Sequence, residues 1–277
     1  LVVVGESGSG KSTLGRLTLG LLKPSSGKVL FEGKDIWKMN KKEYKEFRRN
    51  AQIIHQDPYS SFNPMKTIFE SLATPLLHYK IVRNRREAYK KASELLEMVG
   101  LVPPGDILRR YPSRLSGGQL QRAAIARAIS LHPKYIVADE AVSMLDASLR
   151  LEILDLLLDL QSKFGVSYLF ITHDLSIARY FVYKGGGEIA VMYLGRIMEL
   201  GKGEELITKP IHPYTKILVE ASPVPDPKIA RKKGLPPLRS LEVPKLTELP
   251  SGCRFHTRCP YAKKICSEKI PELRKIG

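Results

Sequence analysis

Long apolar runs are missing from this sequence. Nowhere do its 277 residues hold the roughly 18–20 uninterrupted apolar positions that a membrane-spanning helix requires. The most apolar helical segment, residues 149–160, is interrupted by Glu152, Asp155 and Asp159, so any membrane role is expected to be peripheral. Internal repeats and long heptad arrays are absent too, which leaves a globular reading. Cysteine is scarce, with three residues at Cys253, Cys259 and Cys266. An odd number speaks against a secreted disulfide framework and for a reducing compartment, with metal ligation left open. There is neither a signal peptide nor an initiator Met, and residues 1–4 read as a strand entered midway, so the chain is expected to be a fragment. Acidic residues are in deficit, 28 against 45 basic ones, for a formal charge of +17. Such a surplus suits nucleic acid, an anionic membrane surface or an acidic partner. It equally suits solvated faces, since the basic residues fall in scattered clusters such as Lys41-Lys42 and residues 83–86 and 231–233.

What is present is enough for one sizeable core with appendages, at 43% hydrophobic and 26% charged residues. Strand-like runs at residues 1–4, 52–55, 135–139, 167–172 and 190–193 alternate with helical patterns, including one over 13–22, which predicts an α/β fold with a parallel sheet. From about 57 to 128 the strands vanish. Helical patterns near 67–78 and 85–99 take over, the second with Ala88, Ala92, Leu95, Leu96 and Val99 at helical spacing, and they predict an inserted helical subdomain. Beyond about 203, Pro210, Pro213, Pro223, Pro225, Pro227, Pro236, Pro237, Pro244 and Pro250 interrupt any long helix, and an extension with little regular structure is expected. The expected division is a nucleotide-binding core at 1–57 and 129–203, a helical subdomain at 58–128 and a Pro-rich extension at 204–277.

Gly5-Glu6-Ser7-Gly8-Ser9-Gly10-Lys11-Ser12 fits the pattern G-x-x-x-x-G-K-[ST] between an apolar strand and a helical stretch. Glycines let the backbone wrap close to phosphates with its N–H groups inward, and the helix N-terminus favours negative charge. Gly5, Ser7, Gly8, Ser9, Gly10, Lys11, Ser12 and Thr13 are therefore the candidate ATP-phosphate residues. Lys11 is expected to reach the β and γ phosphates and Ser12 to ligate Mg²⁺; the bland alternative is a Gly-rich turn. Residues 135–140 form an apolar run ending in Asp139-Glu140. Neighbouring residues at a strand end face opposite ways, so Asp139 is expected at Mg²⁺ while Glu140 deprotonates a water aimed at the γ phosphate.

Leu115-Ser116-Gly117-Gly118-Gln119, just before that strand, narrows the field: here the sequence resembles the ABC ATPase family. Further landmarks follow the family order, with Gln56 matching the Q-loop, Ser143-Met144-Leu145-Asp146 the D-loop and His173 the switch histidine. The resemblance implies a P-loop NTPase (RecA-like) core with a helical ABC subdomain. It implies that Ser116, Gly117, Gly118 and Gln119 meet the γ phosphate held by an opposite protomer, that Gln56 senses Mg²⁺ and the attacking water, that Asp146 tunes the partner's site and that His173 contacts the γ phosphate. Ala141 and Met144 depart from the usual Pro and Ala, and without the Pro Glu140 is expected to be less rigidly aimed.

Residues 56–64, Gly195 and His212-Pro213-Tyr214-Thr215 closely resemble oligopeptide/dipeptide importer ATPases, and residues 11–16 resemble the second of their two ATP-binding subunits. That resemblance implies a sibling ATPase, two membrane permeases, an external substrate-binding protein, no nucleic acid partner and a place on the cytoplasmic face of the membrane. The cargo, whether peptide, oligosaccharide or metal chelate, stays open. The His212–Thr215 stretch reads as a turn leading into a helix with no catalytic role. Cys253, Cys259 and Cys266 resemble a C-terminal motif that in some members binds a 4Fe–4S cluster through four thiolates; reduced thiols are the alternative for this chain. The family's adenine-stacking aromatic lies upstream of the P-loop and has no counterpart here. Two other readings stay in play: a DNA-repair or chromosome-type ABC ATPase, suggested by the charge, and a catalytically weak regulatory partner, suggested by Ala141 and Met144.

Overall fold

A computed structural model describes residues 1–222 and 237–276. The basic cluster at 231–233 and Pro223, Pro225, Pro227 and Pro236 lie outside them. In chain order, β1 (Val2–Val4) leads to α1 (Lys11–Thr18), the short pair β2 (Leu30–Phe31) and β3 (Lys34–Asp35), α2 (Lys41–Asn50) and β4 (Ala51–Ile54). A helical stretch follows: α3 (Pro58–Ser61), α4 (Ile68–His78), α5 (Arg85–Met98), α6 (Pro104–Arg109) and α7 (Gly117–Ile129). Then come β5 (Tyr135–Asp139), α8 (Ala147–Phe164), β6 (Ser167–Thr172), α9 (Leu175–Gly185), β7 (Glu188–Tyr193), β8 (Arg196–Lys202), α10 (Gly203–Thr208), α11 (Pro213–Ala221) and α12 (Lys264–Glu268).

The chain forms two compact units, Leu1–Ser12 with Thr172–Gly277, and Thr13–Ile171. In the second unit β4, β5 and β6 run parallel, with Ile54 opposite Ala138 and Asp139 opposite Ile171. The interior of β5 and nearly all of β6 are buried, as expected of parallel strands covered on both faces. Close packing of α1 on this sheet is enforced at Gly15, where a Cβ would lie 2.9 Å from the Val137 side chain. The helices between β4 and β5 are individually well signalled. Thr67 and Glu70 form a capping box at the start of α4, which buries Ile68, Phe69, Leu72, Ala73 and Leu76 on one stripe. Asn84 caps α5, whose buried Ala88, Ala92, Leu95 and Leu96 are the residues the spacing marks as its inner face. Gly165 ends α8 in the left-handed conformation that a helix C-terminus favours.

In the first unit β1 pairs in parallel with β7 (Val2 to Ile189, Val4 to Val191), and β8 turns back antiparallel to β7. Strand β8 has no counterpart in the sequence expectations. Its largely exposed residues show no alternation, and the signal is in the turn, where Leu194 and Gly195 both take positive φ. Helix α1 stops at Thr18, earlier than the expected residue 22, because Gly20 takes a left-handed φ and Leu21 N–H turns back onto Arg16 O. The extension is more ordered than its prolines suggest. Among the described residues it carries α10, α11 and α12, and Pro213 sits in the first turn of α11, where a missing N–H costs nothing.

Candidate nucleotide site

The phosphate-type loop belongs to the first unit. Strand β1 is wholly buried, and its C-terminal end delivers residues 5–10 to the start of α1. A Cβ on Gly5 would stand 2.0 Å from Met192 O, so glycine is required there by close approach to β7, while Gly10 takes a φ of 99° that L side chains rarely adopt. Gly195 N–H donates to Ser9 O at 2.8 Å, bracing the loop from the β7–β8 turn. Lys11 is only 4% exposed, and its Nζ donates to Gly5 O at 2.8 Å and Glu6 O at 2.9 Å. Ser9 Oγ is buried and makes no hydrogen bond to the protein. A buried ammonium held by two carbonyls, a buried unmatched hydroxyl and a glycine cradle at a helix N-terminus form a site fitted to bound phosphate oxygens. His173, which follows β6, lines the same cleft as Val4, Gly5, Asp174, Leu175 and Leu218. Ser7 and Thr13 are exposed around the loop and Ser12 is half-buried.

The carboxylates belong to the second unit. Strand β5 ends in Asp139, and Glu140 follows with a left-handed φ of 48°. Such a conformation costs about 1–3 kcal/mol in a non-glycine residue and persists where surroundings enforce it. Here Glu140 N–H donates to Ile171 O at 2.9 Å, and Ser143 returns both its N–H (3.0 Å) and its hydroxyl (2.9 Å) to Glu140 O. The carboxylate accepts Gln56 Nε2 at 3.1 Å, so two residues 84 positions apart are brought together. The backbone beside each is tied by one buried side chain, Gln121, whose Nε2 donates to Ala141 O at 2.8 Å and His55 O at 3.4 Å. These contacts hold Glu140 although Ala141, and not a proline, follows it. Sequence reasoning had no means to pick out Gln121, a polar residue on an otherwise buried helix face whose partners are two distant carbonyls.

Ser116 caps α7: its hydroxyl accepts Gln119 N–H while Gln119 Oε1 accepts Ser116 N–H, with Gly117 and Gly118 in the first turn. Gly118 is buried, and a Cβ there would come within 3.1 Å of Leu149 Cδ1. Asp146 caps α8, accepting Leu149 N–H at 3.0 Å, and that backbone bond lowers its pKa below the usual aspartate value. Arg150 ties the intervening loop by donating to Leu145 O and Ser143 O.

The oxygen donors Ser12, Asp139 and Gln56 are of the hard type that Mg²⁺ prefers. A cluster at Cys253, Cys259 and Cys266 finds no support: the three are free thiols, and among the described residues no group of three or more His, Cys, Asp or Glu is placed to hold a metal. No described helix is long and apolar enough to cross a membrane.

Residues that sequence reasoning passed over also converge on the loop. Tyr214, in the stretch read as a plain turn into a helix, has its hydroxyl 3.1 Å from Glu6 N, and Arg258 Nη1 lies 2.8 Å from Glu6 Oε2.

Residues 1–143 match the ABC transporter family model, and residues 198–266 match that of the oligopeptide/dipeptide transporter C-terminal region. A probable peptide ABC transporter ATP-binding protein of Sinorhizobium fredii is 48% identical over 273 residues, covering 99% of this chain and 74% of the relative. The oligopeptide transport ATP-binding protein of Salmonella typhimurium is 44% identical over 273 residues, covering 99% and 80%. Among solved structures, a subunit of a Clostridium perfringens ABC transporter complex superposes with a TM-score of 0.64 at 28% identity, over 75% of this chain and 78% of that one. A dimeric ATP-binding cassette bound to ADP and Pi gives 0.63 at 31% identity, over 73% and 84%. The fold is that of a P-loop NTPase, and the chain belongs to the ABC transporter family as an ATP-binding, ATP-hydrolysing subunit that carries the C-terminal region of the oligopeptide/dipeptide transporters.

Proposed function

We propose that the chain powers peptide import, working with two membrane permeases at the cytoplasmic face of the membrane and pairing with a sibling ATP-binding subunit, with cargo handed over by an external binding protein. The observation that carries the importer reading is the C-terminal region of the oligopeptide/dipeptide type over residues 198–266, which sets the chain apart from DNA-repair cassettes. Peptide is the cargo class because the relatives named above are peptide or oligopeptide transport proteins.

In this reading the division into a catalytic core (1–57 and 129–203), a helical subdomain (58–128) and an extension (204–277) follows function. Gly5, Ser7, Gly8, Ser9, Gly10, Lys11, Ser12 and Thr13 bind the phosphates of ATP, with the Lys11 ammonium, steadied by the Gly5 and Glu6 carbonyls, reaching the β and γ phosphates. Ser12, Asp139 and Gln56 would hold Mg²⁺, which would supply neutralisation of the phosphate charge. Glu140 takes a proton from the attacking water, oriented by Gln56, and His173 contacts the γ phosphate. Ser116, Gly117, Gly118, Gln119 and Asp146 act on nucleotide held by the partner subunit, so hydrolysis requires the pair. Support for the acid–base role comes from the 3.1 Å Gln56–Glu140 contact.

The test is ATPase activity of the chain co-purified with its sibling and permeases in lipid, with binding protein loaded with a peptide or an oligosaccharide. Stimulation by the peptide-loaded protein alone is expected. Stimulation by oligosaccharide alone, or by DNA without any binding protein, refutes the proposal.

A further inference from the structure

Glu6 is held at every polar group it has. Its N–H donates to the Tyr214 hydroxyl at 3.1 Å. Its carboxylate accepts Arg258 Nη1 through both oxygens, at 3.0 and 2.8 Å. Its carbonyl accepts Lys11 Nζ at 2.9 Å and Ser9 N–H at 3.2 Å. The first two partners come from the C-terminal extension, the last two from the phosphate loop itself. Arg258 is 7% exposed at its side chain and Tyr214 is fully buried. The Tyr193, Tyr214 and Phe255 rings pack with centroids 4.6–5.4 Å apart, and the Arg258 guanidinium lies 5.8 Å from the Tyr193 ring centre and 5.9 Å from that of Phe255. A clamp so buried is screened little by salt, and its residues have few other places to go.

We propose that Arg258 and Tyr214 are positioning residues for nucleotide binding: through Glu6 they fix the carbonyls that hold Lys11 and the amide of Ser9 in the geometry phosphate needs. The extension is then part of the nucleotide site, acting without touching the nucleotide. The inference rests on residues 5–13 being the phosphate site.

The experiment titrates the purified chain with MgADP by calorimetry and, in the assembled transporter, measures kcat and KM for MgATP. R258A is expected to weaken MgADP about tenfold and raise KM similarly while kcat stays within about twofold. E6Q is expected to match it, and E6Q/R258A to be no weaker than either alone, since both cut one path. R258K is expected to recover most of the affinity, because a single nitrogen serves both carboxylate oxygens and an ammonium can take its place. Y214F, which removes the acceptor of Glu6 N–H, is expected to weaken binding several-fold.

If R258A fails to fold, as judged by its melting curve, E6Q decides the matter, since Glu6 is part-exposed. Wild-type affinity in E6Q while K11A loses binding overturns the clamp and leaves the phosphate site standing. Wild-type affinity in K11A overturns the phosphate site itself. Additive losses in the double variant, or a fall in kcat with KM unchanged, also refute the proposal.

Discussion

Gln121 offers the sharpest quantitative prediction. Its side chain is 1% exposed, and its Nε2 joins the carbonyl of Ala141, next to Glu140, to that of His55, next to Gln56. Gln121→Leu keeps the size and removes both donors. A net hydrogen bond contributes about 1 kcal/mol and an orphaned buried carbonyl costs about 1–3 kcal/mol. The 3.4 Å contact to His55 is too long to count fully, and losing Gln121 Oε1, itself buried without a partner, returns part of the cost. The balance is a destabilisation of about 2 kcal/mol, or a fall in Tm of about 4–8 °C for a chain of this size. Because both tethered carbonyls adjoin the Gln56–Glu140 pair, kcat is expected to drop about tenfold with nucleotide affinity unchanged. Calorimetric melting and steady-state ATPase measurements read the two effects. A Tm and a kcat both indistinguishable from wild type would refute the reasoning.

Further outcomes follow from the same structure. Gly5→Ala places a Cβ 2.0 Å from Met192 O and displaces a carbonyl that holds Lys11, so MgADP affinity in a calorimetric titration is expected to fall about 10²-fold. His55, His132 and His212 all have their pKa lowered from 6.5, chiefly by burial. The unfolded chain therefore takes up their protons first as pH falls, so stability is intact above about pH 6.5 and is lost progressively below it, which Tm measured from about pH 7.5 to 5.5 will show. His212 adds a local effect, since its Nδ1 accepts Tyr214 N–H at the start of α11 and an imidazolium cannot accept. His212→Asn keeps an acceptor without a titrating ring and is expected to flatten part of that decline.

How far this was legible in the sequence depended on the range of the interaction. The phosphate loop and the Asp139–Glu140 strand end are local patterns set by backbone geometry, and the helical face of α5 is written in the spacing of Ala88, Ala92, Leu95 and Leu96. Ser116 and Asp146 are cap residues whose partners lie three positions away, so their conformations could be anticipated. Strand β8 was not legible because its exposed residues carry no period and only its turn identifies it. Gln121 and Arg258 act on groups 20 to 252 positions distant, and nothing in the neighbouring sequence of either points to that partner. Tyr214 carries a resemblance and a turn in the sequence, but its hydroxyl meets Glu6 N–H from 208 positions away, which no local pattern signals.

In the proposed mechanism Glu140 is the base for ATP hydrolysis. The measurement that tests it most directly is the ATPase rate and the nucleotide affinity of Glu140→Gln beside wild type in the assembled transporter. Gln at 140 keeps an acceptor for Gln56 Nε2, so binding is expected to be intact while hydrolysis falls by about 10²-fold or more. A variant that hydrolyses ATP at the wild-type rate would contradict the account and leave this subunit as a binding partner whose sibling performs the chemistry.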